Sequence, residues 1–363
     1  MDEQSITQAP PAKWLIRISG VFAGLESDIL RGLGAAVHKR LGTEYMLVGL
    51  TDPAVLRESA AAKFVRWNMP VHHSWPCSPP DIPGFIEKAA QALARKFAVG
   101  NPQTVMVGAL DGGIYNNRYR ILAANLRGRT LQLFPPHCGA IHAAELQDSR
   151  QPTLFCMVGK EGLFCGVQSP AAANGFHPGG SRYIRQDRPG TISRAGAKIA
   201  EALHHLQLYR PPPLAGSQWL ELGASPGGMT AELLDRKYRV TAVDRVPLDK
   251  RLANAVGLRQ VVSDAATFQP AAGIIYDAIL SDMNGDARES IKLVARLTKH
   301  LRVGGLVVFT LKLTGMSTCA EVNAMEASVV DAAAAAGLHI FARQHLTYNR
   351  REFTLFFEYL PRD

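Results

Sequence analysis

Trp219-Leu220-Glu221-Leu222-Gly223-Ala224-Ser225-Pro226-Gly227-Gly228-Met229 is the stretch that decides how this chain folds. A short apolar run with strand character reaches an acidic residue, and a turn of small residues follows. Thr230-Ala231-Glu232-Leu233-Leu234 then continues as a helix. A strand, a glycine loop and a helix N-terminus in that order let backbone N–H groups approach a ligand closely. A second strand ends on an acid at Val240-Thr241-Ala242-Val243-Asp244, near the spacing at which such folds hold ribose hydroxyls. The loop lacks the Gly-Lys-Ser/Thr of a phosphate loop, and its glycines do not fit Gly-x-Gly-x-x-Gly. A nucleoside ligand without a pyrophosphate fits it better. A purely structural turn is the alternative, and the surrounding residues decide between them.

Outward from that turn the sequence alternates helices and strands. A helix is expected at Arg194–Leu206, opened by Ser193 as N-cap. Strands are expected at Gln218–Leu222, Arg239–Val243, Arg259–Ser263, Tyr276–Ser281 and Gly305–Leu313. Strands separated by helices imply a parallel, doubly wound sheet with ligands at the carboxyl ends of its strands. Two further strands, Leu338–His345 and Glu352–Tyr359, read as a terminal antiparallel hairpin. The whole resembles the α/β architecture of class I (Rossmann-like) methyltransferases, which implies a seven-stranded, mostly parallel sheet. S-adenosylmethionine is the nucleoside that suits such a loop.

The first half reads differently. Residues 1–12 are polar with a Pro pair and are expected to be a flexible tail. Lys13–Ile18 reads as a strand, Leu25–Leu41 as a helix with apolar residues at helical spacing, and Tyr45–Leu50 as a strand. These make a small α+β unit ending near His73. The Pro-rich Trp75–Pro83 reads as a linker or domain entry. A helix at Gly84–Phe97, a strand at Thr104–Ala109 and apolar runs at Leu154–Val158 and Leu163–Val167 complete a second unit. Pro170–Pro189 crosses to the last domain.

Composition narrows the class. The chain has 363 residues, 47% of them hydrophobic, enough for two or three domains with their own cores. A formal charge of +9 and a pI near 9.4 suggest an anionic partner, nucleic acid first, with a merely basic surface as the alternative. No apolar run approaches the ~20 residues needed to cross a bilayer, and the polar start does not resemble a signal peptide. The five cysteines contain no Cys-x-x-Cys pair, and Cys156 and Cys165 sit in apolar runs. Core thiols in a reducing compartment are therefore expected, with a cytoplasmic location and no metal.

Polar residues fall where strand ends would place them. Asp244, Asp264 and Asp282 follow the second, third and fourth strands, Glu352 opens the last, and Lys198 lies on the preceding helix. Lys312 sits inside the apolar Val307-Val308-Phe309-Thr310-Leu311-Lys312-Leu313. An unpaired ammonium in an apolar layer is expensive, so Lys312 needs a carboxylate, and Asp282 on the neighbouring strand is the natural one. A structural ion pair is the alternative to a catalytic one.

The ordered set Ser193-Arg194-x-x-x-Lys198, Gly223-Ala-Ser-Pro-Gly-Gly228, Val243-Asp244, Ser263-Asp264, Leu280-Ser-Asp282-Met283, Leu311-Lys312-Leu313 and Arg351-Glu352 resembles the FtsJ-type ribose 2′-O-methyltransferases. The resemblance covers about half the chain, from Ser193 onward. It implies that Lys198, Asp282, Lys312 and Glu352 form a catalytic Lys–Asp–Lys–Glu tetrad. Gly166–Phe176 and the approach through Arg185 to Arg194 resemble the RlmM branch, which modifies a cytidine ribose of large-subunit (23S) ribosomal RNA. That branch implies a ferredoxin-like unit at 13–74, a THUMP-type RNA-binding unit at 75–180 and the methyltransferase domain at 181–363. The N-terminal match rests on Trp14-Leu-Ile-Arg17, Gly24-Leu-Glu-Ser-Asp28 and element order. Ser225 and Met229 depart from the branch, which has Cys and an aromatic there.

Under this resemblance Lys312 is the general base for a ribose hydroxyl, held by Asp282, while Lys198 and Glu352 orient the ribose. Burial and a second cation would lower its pKa and the two carboxylates would raise it; sequence leaves that balance open. Gly223, Ser225, Pro226, Gly227 and Gly228 would face the methionine end of S-adenosylmethionine. Asp244 would take its ribose and Asp264 its adenine amine, with Ser193 a further contact. Arg182, Arg185 and Arg188, with Arg350 and Arg351, would meet RNA phosphates. Another RNA or a protein acceptor, or a non-catalytic RNA-binding protein on the same scaffold, remain the alternatives.

Overall fold

The structure, a computed structural model, describes residues 13–77, 81–110, 117–143, 146–184 and 190–361. The chain divides into two compact units at Ser181/Arg182.

The first unit runs β1 (Trp14–Ile18), α1 (Glu26–Gly32), β2 (Ala36–Leu41), β3 (Tyr45–Gly49), α2 (Val55–Glu58) and β4 (Val65–Pro70). These strands form one antiparallel sheet in the order β2-β3-β1-β4. The expected helix over 25–41 is therefore wrong in its second half. Gly34 takes φ +59°, and the Ala35 N–H turns back to the Leu30 carbonyl at 2.9 Å, which closes α1. The residues beyond gain a ladder with β3 instead.

A second sheet follows. Its elements are β5 (His73–Trp75), α3 (Ile82–Phe97), β6 (Val105–Ala109), α4 (Asn117–Leu133), α5 (Pro136–Ala140), β7 (Thr153–Gly159), β8 (Gly162–Gln168) and the short α6 (Pro170–Ala173). The order is β5-β8-β7-β6, with only β6 and β7 parallel. Leu15, Tyr45, Trp67 and Met69 of the first sheet share one core with Met106, Phe155, Met157 and Phe164 of the second. The other face of the second sheet is covered by α3 and α4. Cys156 and Cys165 are free, fully buried and directly opposed across β7 and β8. Residues 1–12 lie outside the described residues, as do 78–80 of the Pro-rich segment.

The second unit is a seven-stranded sheet. It comprises α7 (Ala195–Leu206), β9 (Gln218–Leu222), α8 (Gly228–Asp235), β10 (Arg239–Asp244), β11 (Leu258–Val262), β12 (Tyr276–Ser281), α9 (Ala287–Arg296), β13 (Leu301–Lys312), α10 (Cys319–Ala335), β14 (Leu338–Gln344) and β15 (Glu352–Tyr359). The order β11-β10-β9-β12-β13-β15-β14 is the Rossmann-like methyltransferase arrangement. β9 to β13 pair in parallel, and β15 inserts antiparallel between β13 and β14. Trp219, Leu280, Val308 and Phe356 meet Ile199, Leu203 and Leu233 of α7 and α8 in a core on one face. Leu220, Ile279, Phe309 and Phe357 alternate with them along the strands and are buried on the other. Both faces are covered, so the strands read as continuous apolar runs rather than alternating ones. Among the described residues no helix is long and apolar enough to cross a membrane.

Candidate active site

β9 delivers the chain to a turn that only glycine can make. Gly223 has φ +80°, and a Cβ there would lie 3.0 Å from the backbone nitrogen of Met283. A Cβ on Gly228 would fall 2.1 Å from Ser193 Oγ. Ser193 is thus a buttress behind the loop. It is not the N-cap of α7, which is Arg194, although its hydroxyl accepts from the Ala195 N–H at 3.4 Å. Arg194 has helical dihedrals and its side chain makes no capping bond, so the Ser193 hydroxyl is the side-chain acceptor offered to this helix start.

Asp244 closes the loop from the neighbouring strand. Its Oδ2 accepts from the Ser225 N–H and its Oδ1 from the Val246 N–H, both at 2.9 Å. A cavity of about 620 Å³ opens beside this junction, of the size that holds small ligands. Gly223, Ser225, Pro226 and Gly228 form one side of it, and Asp244, Asp264 and Asp282 line it too. Ser193 and Gly227 are not in the wall; Gly227 turns at φ +106° against Leu252. Asp264 is tied to the Ala266 N–H at 2.8 Å. Asp286 and Glu289 add to the acidic lining, with Arg245 the cation among the wall residues. Such a wall suits a cationic nucleoside and repels a polyphosphate.

Glu221 was not singled out by the sequence reading, yet it lines the same cavity. It is buried in β9 and accepts from Thr230 Oγ1 at 2.7 Å. Burial pushes its carboxyl up to about 8, the Thr230 hydroxyl opposes this, and Asp282 and Asp244 add to the rise. An acid between Leu220 and Leu222 is the same signal that marked Lys312.

Four charged side chains meet at the carboxyl ends of the central strands. Asp282 follows β12, Lys312 ends β13, Glu352 opens β15 and Lys198 projects from α7. Lys312 and Glu352 are directly opposed in the antiparallel ladder. Lys312 Nζ lies 2.9 Å from Asp282 Oδ1 and 3.2 Å from Glu352 Oε2. Lys198 Nζ lies 3.1 Å from Asp282 Oδ2 and 2.7 Å from Glu352 Oε1. Each ammonium therefore bridges both carboxylates in a closed ring of alternating charge, with side chains only 10–18% exposed. Burial favours neutral Asp282, but Lys198 and Lys312 outweigh it and hold the carboxyl below its ordinary value. Burial likewise favours neutral Lys312, and Asp282 and Glu352 outweigh it, so the amine sits above its ordinary value. The balance left open by the sequence falls to the carboxylates: in the free protein Lys312 is an ammonium.

The turn before β15 is fixed from α7. Glu201, one helical turn past Lys198 and buried, accepts from the Thr347 N–H at 2.8 Å and its hydroxyl at 2.6 Å. Tyr348 Oη accepts from the Ile184 N–H at 2.7 Å and donates to its carbonyl at 2.9 Å. Arg182 is thereby carried on a segment pinned to the turn that bears Arg350 and Arg351. Both of these are exposed, and Arg351 donates to the Met316 carbonyl. Arg185 and Arg188 lie outside the described residues. Among the described residues no cluster of three or more metal-ligating side chains occurs.

Residues 191–340 match the model of the FtsJ-like methyltransferase family. The chain is 31% identical over 181 residues to the ribosomal RNA large subunit methyltransferase M of Halorhodospira halophila, covering 49% of this chain and 50% of that protein. It is 28% identical over 225 residues to the protein of the same name from Shewanella loihica, covering 58% and 59%. The chain thus spans about half the length of the curated relatives it matches. Among solved structures, TrmN from Thermus thermophilus aligns with a TM-score of 0.36 at 17% identity, over 96% of this chain and 100% of that one.

Proposed function

We propose that this chain, through the FtsJ-like methyltransferase domain of its second half, transfers a methyl group from S-adenosylmethionine to a ribose 2′-hydroxyl of RNA. The substrate in this reading is large-subunit ribosomal RNA, and its nucleotide a cytidine. One observation carries it: Asp282 lines the cavity beside the glycine loop and at the same time binds both lysines of the charged ring. The place that would hold the cofactor and the place that would handle a proton therefore share a carboxylate.

The cofactor, when bound, supplies an electrophilic methyl carbon on a positively charged sulfur. Gly223 and Gly228 would expose the backbone to it, Asp244 and Asp264 would offer acceptors for its ribose and adenine, and Asp282 stands at the end of β12, across β9 from them. Lys312 would take the proton from the 2′-hydroxyl as the new C–O bond forms and the methyl–sulfur bond breaks with its electron pair staying on sulfur, since that hydroxyl is a weak nucleophile at neutral pH. It must first lose its own proton, which the resting ring disfavours. A nearby positive charge and exclusion of water both act in the direction that frees it. Lys198 and Glu352 donate to and accept from the ribose, and fixed orientation of this kind recovers about 7–11 kcal/mol of barrier.

RNA is expected to be single-stranded or unfolded where it reacts, because a ribose hydroxyl must reach a recessed site. Arg182, Arg350 and Arg351 are read as phosphate contacts at its mouth. The β-α-β-β-α-β order of residues 13–74 supports a ferredoxin-like reading of that segment. Residues 75–180 are read as a THUMP-type RNA-binding unit and 181–363 as the methyltransferase. The test is mass-spectrometric mapping of ribose methylation, using RNA from cells lacking the gene before and after incubation with the protein and cofactor. A new 2′-O-methylcytidine in large-subunit RNA is the expected result. A methyl group on a base or on protein would overturn the reading.

A further inference from the structure

α7 holds the approach to β15 at two points. Lys198 Nζ reaches Glu352 Oε1 at 2.7 Å. Glu201, buried and three residues further along the helix, reaches the turn between β14 and β15. Its Oε2 accepts from the Thr347 N–H at 2.8 Å and from the Tyr348 N–H at 3.4 Å. Its Oε1 accepts from the Thr347 hydroxyl at 2.6 Å. Side chains at i and i+3 share a helix face, so both grips come from the same side of α7.

The turn has bonds of its own that set its shape. The Asn349 N–H donates to the Leu346 carbonyl at 3.2 Å, and Asn349 Oδ1 accepts from the Leu346 N–H at 3.0 Å. His345 Nε2 donates to the Arg350 carbonyl at 2.8 Å, and the Leu313 N–H donates to the Arg351 carbonyl at 3.0 Å. These bonds close the turn on itself and on the end of β13, and they do not involve α7. Burying a carboxyl is expensive unless donors meet it, which makes it a costly fastener for a turn already closed. What Glu201 adds, from 146 residues away, is a reference: it fixes the turn, and Glu352 directly after it, relative to the helix that carries Lys198.

We propose that Glu201 is a positioning residue for methyl transfer: by seating the 345–351 turn on α7 it sets Glu352 where that carboxylate closes the charged ring and orients the acceptor ribose. The proposal rests on the methyltransferase reading. Glu201 acts through Glu352 and takes no part in the chemistry itself.

Single-turnover transfer of tritiated methyl is measured on the full-length protein at saturating S-adenosylmethionine and RNA, with large-subunit RNA from cells lacking the gene. Glu201→Ala should slow transfer by about 10–100-fold, the scale of displacing a reacting group by about 1 Å. Cofactor affinity by calorimetry should stay at the native value, since Glu201 does not line the cavity. Glu201→Gln should recover most of the rate, because its amide oxygen can take both N–H donors while its NH2 donates to the Thr347 hydroxyl. A double-mutant cycle separates this role from a merely structural one. In a Glu352→Ala background, adding Glu201→Ala should slow transfer by less than about threefold, because the group it positions is already gone. A second full loss in that background, or a Glu201→Ala rate within about threefold of native, would overturn the role and leave methyl transfer standing. If circular dichroism shows Glu201→Ala unfolded, Thr347→Val decides: it removes one hydrogen bond and should slow transfer about threefold, and an unchanged rate overturns the role. A native protein that transfers no methyl to RNA overturns both the role and the reading beneath it.

Discussion

Exchanging Lys312 for arginine separates a proton-accepting amine from a merely structural cation. Arginine keeps the positive charge that Asp282 and Glu352 hold at 2.9 and 3.2 Å in the present ring, and it does not give up a proton in this pH range. A lysine of ordinary pKa is neutral in about one molecule per thousand at pH 7.5, and the carboxylates make that fraction smaller still. If Lys312 is the base, the single-turnover rate of the native protein should therefore climb about tenfold per pH unit between pH 7 and 9. Removing a positioned base costs about 10²–10⁴-fold, or about 3–5 kcal/mol of barrier. Lys312→Arg and Lys312→Ala should both fall by that amount and lose the pH slope, while calorimetry reports near-native cofactor affinity. Lys198 still bridges both carboxylates in Lys312→Ala, so that variant should lose about 1–3 kcal/mol of stability, below the cost of orphaning a wholly buried charge. Transfer of tritiated methyl to RNA in rapid-quench mixing supplies the rates. An arginine variant retaining more than a tenth of the native rate, or a native rate flat from pH 7 to 9, would refute the assignment.

Other substitutions test other parts of the site. Asp244→Ala should weaken S-adenosylmethionine binding by about 10–100-fold, since a charged acceptor and the anchor of the Ser225 amide are lost together, and calorimetry with unchanged affinity would speak against it. Glu221→Gln bears on linkage. A carboxyl raised from 4.5 to about 8 is protonated in the folded state, so its contribution is present below pH 4.5 and is lost as pH rises through about 8. Urea midpoints of the native protein should thus fall relative to Glu221→Gln between pH 6 and 8.5, and parallel curves would mean that the carboxyl is ionised. Arg350→Ala should lower RNA affinity uniformly across sequences and reduce the slope of log affinity against log salt by about one; filter binding at two salt concentrations with an unaltered slope would remove it from the phosphate contacts.

Much of this site could be read before any coordinates, because buried charge is conspicuous in an apolar run. Lys312 stands out between Leu311 and Leu313, and its need for a carboxylate leads to Asp282. Lys198 was harder: nothing in α7 except order along the chain ties it to strands far downstream. Glu221 carries the same signal as Lys312, but an acid before a glycine loop also reads as an ordinary strand end. The helix over 25–41 failed because helical spacing of Leu25, Ile29 and Leu33 continues smoothly into a segment that the Gly34 turn redirects. The α4 helix escaped notice because its buried stripe of Leu122, Ala123, Leu126 and Thr130 is narrow among several arginines. Local pattern is silent where a single left-handed residue or a shared core makes the decision.

The charged ring has a consequence for how this protein matures. Its members come from widely separated positions, Lys198 and Asp282 being 84 residues apart and Lys312 a further 30. No fragment lacking β15 can assemble it, because Glu352 is placed beside the amines by the pairing of β15 with β13. Competence is thus gained only when β15 is paired along β13. Fraying of that one inserted strand on warming would dismantle the ring while most of the backbone stayed intact.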